Sequence, residues 1–185
     1  MATQRRARVK QPSPDELGII DLDHYVPAYL TWIANKLSRG ASQTYLKVFN
    51  IGIETWRCLV LLAIHRSISA QQVSQIIGMD KASVSRCFKS MQARGLIVMG
   101  LDASDGRVRM ANLTSQGRAI HDRIRDLALE RQRALLSVLS DSESDTLLRL
   151  LKRLHDNLPE VEVATAEFID EHYPRAAGSR RRAAK

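Results

Sequence analysis

The chain has 185 residues, of which 44% are hydrophobic and 26% charged, so it is long enough for one compact domain with extensions and is not compositionally disordered. Its longest apolar run, residues 58–64, is far shorter than the ~20 residues that a membrane-spanning helix needs. No apolar segment follows the basic N-terminus "MATQRRARVK", so we expect no secretory leader, no membrane association and a cytoplasmic protein.

The formal net charge of +8 is unevenly distributed along the chain. Residues 1–10 contribute +4 and residues 175–185 contribute +5, with no acidic residue in either segment, which leaves −1 for residues 11–174. Basic tails suit nucleic acid, but they also suit simple solubility. The total charge therefore does not decide the function.

Residues 1–20 are interpreted as a flexible basic arm, and two helices are predicted after it. Apolar residues recur at helical spacing between Asp23 and about Lys47, with Pro27 in the first turn, where proline is tolerated. The segment "IETWRCLVLLAI", 53–64, predicts a second and mostly buried helix.

The next two predicted helices are short and close together. Ser69 and Gln72 form a capping box at the start of the first, and Gly78 ends it. Asp80 is a suitable N-cap for the second, which ends at Gly95. Two short helices joined by a tight turn are a candidate helix-turn-helix.

The second of these helices separates an apolar from a polar face. Val84, Phe88 and Met91 follow i, i+4, i+7 spacing and are expected in the core. Serines and long cations lie off that stripe, and such residues can approach base edges and phosphates in a DNA groove. Taken alone, however, such a face is more often an ordinary solvated helix surface.

A two-stranded hairpin is predicted immediately after the helix-turn-helix. "LIVMGL" and "RVRMANL" are the strands, and residues 102–106 form the loop, where Gly106 can adopt a positive φ. Val108 and Met110 would lie on one face, and Arg107 and Arg109 on the other. Residues 80–109 contain six basic and three acidic residues, so the positive charge of the body is concentrated here. This is the arrangement of a winged helix-turn-helix, with the helix in the major groove and the loop in the adjacent minor groove.

The remaining chain is predicted to be helical, so the fold class is mainly α with a small β-hairpin wing. Thr114 caps a helix to about Leu139, and "SDSE", 140–143, opens another that ends at Pro159. The latter carries a leucine seam at 4, 3, 4 spacing, namely Leu147, Leu151, Leu154 and Leu158. The seam suits either an internal core or a dimer interface. "VEVATAEFIDEHY" predicts one further helix.

These residues resemble the MarR family of bacterial transcriptional regulators over roughly residues 24–158. "DASDGR" followed by "LTSQG" is similar to the family's D-x-x-D-x-R wing loop and L-T-x-x-G segment. "MDKASVSRCFKSMQARGLI" is similar to its recognition helix, and "LSDSE" to the start of its last helix. Gly106 departs from the family, which often has a second basic residue there, and so does Met91, where leucine is frequent.

The resemblance implies a winged helix-turn-helix with a helical dimerisation region, acting as a ligand-responsive repressor. The implied organisation is an arm, 1–20, a regulator, 21–158, and an extension with a basic tail, 159–185. Within the regulator, 51–113 would be the DNA-binding lobe, and 21–50 and 114–158 the dimerisation helices. The implied partners are a second copy of the chain and palindromic double-stranded DNA.

The resemblance also implies roles for individual residues. Arg107 would enter the minor groove, oriented by a salt bridge from Asp105. The implied DNA-binding residues are Lys81, Ser83, Ser85, Arg86, Lys89, Arg107 and Arg109. Trp32, Trp56 and Arg57 could line an effector pocket for a small aromatic acid or its thioester, because aromatic rings stack and an arginine binds carboxylates. The simpler alternative, which the residues favour somewhat more, is that both tryptophans are core residues. No cofactor or metal is expected.

Other classes of protein are less well supported. The five histidines form no H-E-x-x-H motif, and no G-x-G-x-x-G, P-loop or G-x-S-x-G segment occurs, so we do not expect an enzyme. An architectural protein that binds DNA without sequence preference would make use of the basic tails. A cysteine-based redox sensor would need an exposed thiol of low pKa. Cys58 lies in an apolar run and Cys87 beside the core stripe, and their spacing suggests neither a metal site nor a disulfide framework, so we expect buried, inert thiols.

Overall fold

The computed structural model describes residues 18–102 and 105–174. Most of the predicted arm, Ala103 and Ser104 of the wing loop, and the basic tail 175–185 lie outside the described residues. The described elements are α1 (Val26–Phe49), α2 (Ile53–His65), β1 (Ser67–Ser69), α3 (Ala70–Ile77), α4 (Lys81–Ala93), β2 (Ile97–Leu101), β3 (Arg109–Leu113), α5 (Ser115–Leu136), α6 (Asp141–Asp156) and α7 (Leu158–His172).

The chain divides into two compact units, residues 1–128 and 129–185, and the division falls within α5. The fold is mostly helical with a small antiparallel sheet, as the sequence predicts. No single described helix is long and apolar enough to cross a membrane. Helices α1 and α2 reach the length and apolar composition of a membrane span only when they are taken together, and they are bent by 83° relative to each other.

The core of the first unit is built around α2 and α4. Leu59 and Leu62 of α2 are fully buried, and so are Val84 and Met91 of α4. Phe88 is almost as deeply buried, which confirms the predicted apolar stripe of α4. Each of these side chains stabilises the fold by about 1.5–3 kcal/mol relative to an exposed position.

Local capping holds the helix-turn-helix in the predicted place. Ser69 Oγ accepts a hydrogen bond from the Gln72 N–H at 3.2 Å, and Gln72 Oε1 accepts one from the Ser69 N–H at 2.9 Å. Gly78 ends α3 with a φ of +67°, which favours glycine. Asp80 Oδ1 accepts from the Ser83 N–H at 2.9 Å and starts α4. The predicted caps on both helices are therefore confirmed.

The sheet has three strands in the order β1-β3-β2, one more than the sequence predicts. The hairpin pairs Ile97 with Leu113 and Leu101 with Arg109. β1 adds Ile68 opposite Ala111 on the other side of β3. A strand of three residues is too short for its alternating pattern to be recognised in the sequence. It also depends on pairing with β3, which lies far along the chain.

The wing loop is longer than predicted, because β3 begins at Arg109 and not at Arg107. The backbone closes the loop below its tip, where the Asp102 N–H donates to the Val108 carbonyl at 2.9 Å and the Val108 N–H donates to the Asp105 carbonyl at 2.9 Å. Gly106 does not have a positive φ, and a Cβ there would meet nothing within 4 Å. Gly106 therefore lies in the turn of the loop, as predicted, but without the positive φ that the sequence suggested.

The start of α5 is tied to the end of the helix-turn-helix. Thr114 Oγ1 accepts from the Gly117 N–H at 3.0 Å, which confirms the predicted cap, and donates to the Gly95 carbonyl at 2.7 Å. Gly117 packs directly on the backbone of Leu96, the residue before β2. A Cβ at Gly117 would lie 2.0 Å from the Leu96 carbonyl oxygen. The threonine and the glycine of the L-T-x-x-G segment thus both serve this junction.

In the second unit, α6 begins with the predicted capping box of Ser140 and Glu143. The prediction that Pro159 ends this helix is wrong. α6 ends at Asp156, and Pro159 lies in the first turn of α7, where the missing N–H has no helical partner to lose. Leu158 therefore belongs to α7. Neither α6 nor α7 has a buried residue in the described chain.

Candidate nucleic-acid interface

The polar face of α4 is exposed opposite its buried stripe. Lys81, Arg86 and Lys89 are exposed, and Ser83 and Ser85 are half-buried. Since Val84, Phe88 and Met91 fix the helix against the core, these polar side chains point away from it as one surface. We use the name basic face for this surface together with the exposed wing residues Arg107 and Arg109.

The first turn of α4 carries a linked group of polar side chains. The Ser83 hydroxyl and N–H hold the pKa of the Asp80 carboxyl below its usual value, and Arg86 lowers it further. Arg86 Nη2 in turn donates to Ser83 Oγ at 2.6 Å. This bond holds the Arg86 side chain along the helix and leaves its other N–H donors for a partner.

The two described aspartates of the wing loop bind backbone. Asp102 Oδ1 accepts from the Asp105 N–H at 3.1 Å, and Asp105 Oδ1 accepts from the Arg107 N–H at 3.0 Å. The salt bridge that the resemblance implies between the side chains of Asp105 and Arg107 is not formed. Asp105 shapes the loop through the main chain of Arg107, and the Arg107 side chain is exposed.

Residues of α4 and of the wing meet around one cavity of about 190 Å³. Its lining includes Ser85 and Lys89 from α4, Arg109 from β3 and the apolar side chains of Phe88 and Met99. The structure thus brings predicted residues from two elements together. Arg107, at the wing tip, is not among the lining residues.

The predicted effector residues have separate surroundings. Trp32 is 43% exposed and its ring centroid lies 5.5 Å from that of Tyr29. Arg57 Nη2 donates to Ser38 Oγ at 3.0 Å, which ties α2 to α1. Trp56 is half-buried and partly a core residue. No ring contact joins the two tryptophans in the described part of the chain.

His121 is a residue that sequence reasoning missed. It is 8% exposed, stacks on Trp56 with centroids 5.5 Å apart, and places Nδ1 2.8 Å from Asp122 Oδ1. This contact lowers the pKa of the Asp122 carboxyl. The sequence holds five histidines without motif context, and only the packing of α5 on α2 distinguishes this one.

The two cysteines are buried, as expected, but they are also neighbours. Cys87 Sγ lies 3.6 Å from Thr55 Oγ1 and 3.8 Å from Met91 Sδ. The neighbouring Cys58 thiol, and to a smaller extent the Thr55 hydroxyl, lower the pKa of Cys87 to about 7, whereas the Cys87 thiol and burial raise the pKa of Cys58. The burial of both thiols is thus confirmed, and their inertness stays a prediction.

In this chain a helix-turn-helix is followed directly by a hairpin, and the short strand β1 forms the other edge of the sheet. This arrangement defines a winged helix-turn-helix domain. A sequence model of the MarR family matches residues 49–108, which include the helix-turn-helix and most of the wing. The solved structure of a MarR/EmrR family transcriptional regulator from Acinetobacter sp. ADP1 is 33% identical, with a TM-score of 0.71. That likeness covers 76% of this chain and 99% of the other. The chain belongs to the MarR family of transcriptional regulators.

Two further relatives show how far the likeness extends. The chain is 28% identical over 107 residues to YdgJ, an uncharacterised HTH-type transcriptional regulator of Bacillus subtilis (strain 168). That match covers 56% of this chain and spans 63% of the relative's length. The fold is also similar to that in a MepR–DNA complex from S. aureus, with a TM-score of 0.66 at 20% identity, covering 75% of this chain and 99% of that one.

Proposed function

We propose that this chain is a sequence-specific DNA-binding regulator that acts as a homodimer on a palindromic operator. The observation that carries the proposal is the basic face, where cations from α4 and from the wing lie beside one another and line a common cavity. If the polar face of α4 were only a solvated helix surface, the neighbouring hairpin would have no need to carry cations beside it.

In this proposal α4 lies in the major groove. Arg86 and Lys89 can bond guanine edges or phosphates, and the hydroxyls of Ser83 and Ser85 can bond either. Lys81 at the start of the helix and Arg109 at the start of β3 are placed to contact phosphates, which position the protein without reading sequence. MepR, whose fold is similar, has been crystallised with DNA.

Arg107 is proposed to read the adjacent minor groove. A narrow A·T-rich minor groove concentrates negative potential and attracts an inserted arginine. Asp105 supports this role by holding the Arg107 N–H, so that the loop conformation and not an ion pair directs the side chain outward.

A second copy of the chain is proposed as the partner of the described helices. Leu147, Leu151 and Leu154 are between 37% and 48% exposed although they follow one stripe of α6. α1 exposes a second apolar set, which includes Tyr29 and Ile33. Helices that bury nothing by themselves need a partner surface to be stable. A two-fold dimer would set the spacing of its half-sites to about one DNA helical turn.

We further propose that a small anionic aromatic compound, an acid or its thioester, releases the repressor from DNA in the cytoplasm. Arg57 is held in place by Ser38, and Trp56 offers an aromatic surface between Tyr45 and His121. Trp32, on α1, would complete the site. No cofactor is needed for this response.

The proposal is tested by selecting DNA from a random library with the full chain and footprinting the selected duplex. We expect protection of one short inverted repeat. Broad protection without sequence preference would favour the architectural alternative and contradict the proposal.

A further inference from the structure

A cavity of about 570 Å³ lies where the end of α2 meets the start of α5. Arg66, the residue that follows α2, lines it with Leu113 at the end of β3 and with Ser115, Arg118 and Ala119 of α5. The volume is within the range of roughly 300–1,000 Å³ that is usual for small-molecule sites. Its described lining contains none of the residues proposed above to bind DNA or the aromatic compound, so the cavity is a separate feature of the molecule.

The two arginines leave positive charge available in this cavity. Arg118 Nη2 donates to a carbonyl of α2 at 3.4 Å, and among the described residues neither Arg118 nor Arg66 forms an ion pair. Asp122 also lines the cavity, but its Oδ1 lies 2.8 Å from His121 Nδ1 and 3.3 Å from Arg125 Nη1. The carboxylate therefore has other partners, and both guanidiniums can bind an added anion.

The backbone of Arg66 is in a conformation that a residue with a side chain rarely adopts. Its φ is +58° and its ψ is −47°, where glycine would be accommodated with less strain. Residues other than glycine that are held in such conformations cluster at functional sites. The position carries an arginine although the backbone alone would favour glycine, which indicates that the side chain has a use.

The chemistry of the lining selects the kind of anion. A guanidinium keeps its proton at physiological pH and can bond phosphate oxygens through two parallel N–H groups. Two guanidiniums match the charge of about −2 on a phosphate monoester, whereas a monocarboxylate would neutralise only one of them. Ser115 adds a hydroxyl donor and lies at the positive end of the α5 dipole. Leu113 and Ala119 offer apolar surface to the esterified group.

We propose that this cavity binds a phosphate monoester of a small apolar alcohol, with the phosphate between Arg66 and Arg118. Binding is reversible and changes no covalent bond. The site shares no residue with the basic face or with the site proposed for the aromatic acid, so the inference does not depend on either of those proposals.

The test is calorimetric titration of the full chain with n-butyl phosphate, inorganic phosphate and butyrate in a buffer without phosphate. An aliphatic ester is used because an aromatic one could also enter the proposed site beside Trp56. We expect one equivalent of butyl phosphate per chain, bound more tightly than inorganic phosphate, and no displacement by butyrate. Arg118→Gln should weaken binding by roughly tenfold or more, because the charge-assisted bonds of one guanidinium are lost.

Arg66→Gly should weaken binding to a similar extent while the protein stays at least as stable, since glycine suits the φ of +58°. Arg123→Gln is the matched control, because it removes an exposed arginine of α5 that does not line the cavity. Thermal melting verifies that each variant is folded. The proposal is overturned if the wild type does not bind butyl phosphate, or if butyrate or inorganic phosphate binds as tightly. It is equally overturned if folded Arg118→Gln and Arg66→Gly bind like Arg123→Gln.

Discussion

Arg107 is the single residue on which the proposed reading of the minor groove depends. Its side chain is exposed and its backbone is held by Asp105, so it can enter a groove without breaking an ion pair to Asp105. We expect Arg107→Ala to weaken operator binding by on the order of 1–3 kcal/mol, as is typical of a specific groove contact. Fluorescence anisotropy with the selected operator measures the change.

The control for this variant is Arg149→Ala, which removes an exposed arginine from α6. It should bind the operator like the wild type. If Arg107→Ala also binds like the wild type, residues 102–109 are not a DNA-reading wing.

Asp105 acts on the wing through the main chain, and this makes a prediction that an ion pair would not make. Asp105→Asn keeps an oxygen that can accept from the Arg107 N–H, so it should bind the operator nearly as tightly as the wild type. Asp105→Ala removes the bond, which contributes about 0.5–1.5 kcal/mol to the loop. Anisotropy on both variants separates the two explanations: equal weakening by Asn and Ala would indicate that the charge, and not the acceptor, is what matters.

Among the elements, the contact between α5 and the start of β2 makes the strictest demand on side-chain size. Replacement of a helical glycine by alanine usually stabilises a helix by about 0.5–1 kcal/mol. At Gly117 the new Cβ would lie 2.0 Å from the Leu96 carbonyl oxygen, so the two backbones must separate. We expect Gly117→Ala to destabilise the protein by about 1–3 kcal/mol, measured by urea unfolding.

Gly106→Ala is the companion variant, because its Cβ meets nothing and its φ is ordinary for any residue. It should unfold at the wild-type urea concentration. A Gly117→Ala protein that is as stable as Gly106→Ala would show that the α5 contact is looser than described.

For the whole molecule, the absence of buried side chains in described α6 and α7 predicts a dimer in solution. Sedimentation at micromolar concentration should give twice the mass of the 20.8 kDa chain. Leu151→Asp places a charge in the proposed interface and should shift the protein toward monomer. Lys152→Asp, one position away on the same helix, should not, and a wild-type monomer would remove the proposal.

The C-terminal tail, outside the described residues, should act on DNA affinity without acting on specificity. Residues 175–185 carry five cations and no acid, so we expect them to add phosphate contacts that do not depend on sequence. Deletion of the tail should weaken operator and scrambled duplexes alike and reduce the salt slope by about 0.9 for each phosphate that the tail neutralises. Weakening confined to the operator would mean that the tail reads bases.

The sequence by itself determined the local features of this protein. The capping pairs Ser69–Gln72 and Asp80–Ser83 and the Val84, Phe88, Met91 stripe lie where they were predicted. Each depends on residues within two helical turns, so their spacing in the chain carries the whole signal. The family followed from motifs of the same local kind.

Only the tertiary structure decided which distant residues meet. β1 exists because β3 lies beside it, the cysteines are neighbours because α2 packs on α4, and His121 is buried because α5 brings it to Trp56. Asp105 and Arg107 are close in the chain, yet whether a carboxylate bonds the backbone or the guanidinium depends on how the whole loop closes. Such contacts arise from packing between elements, and no periodicity in the chain encodes them.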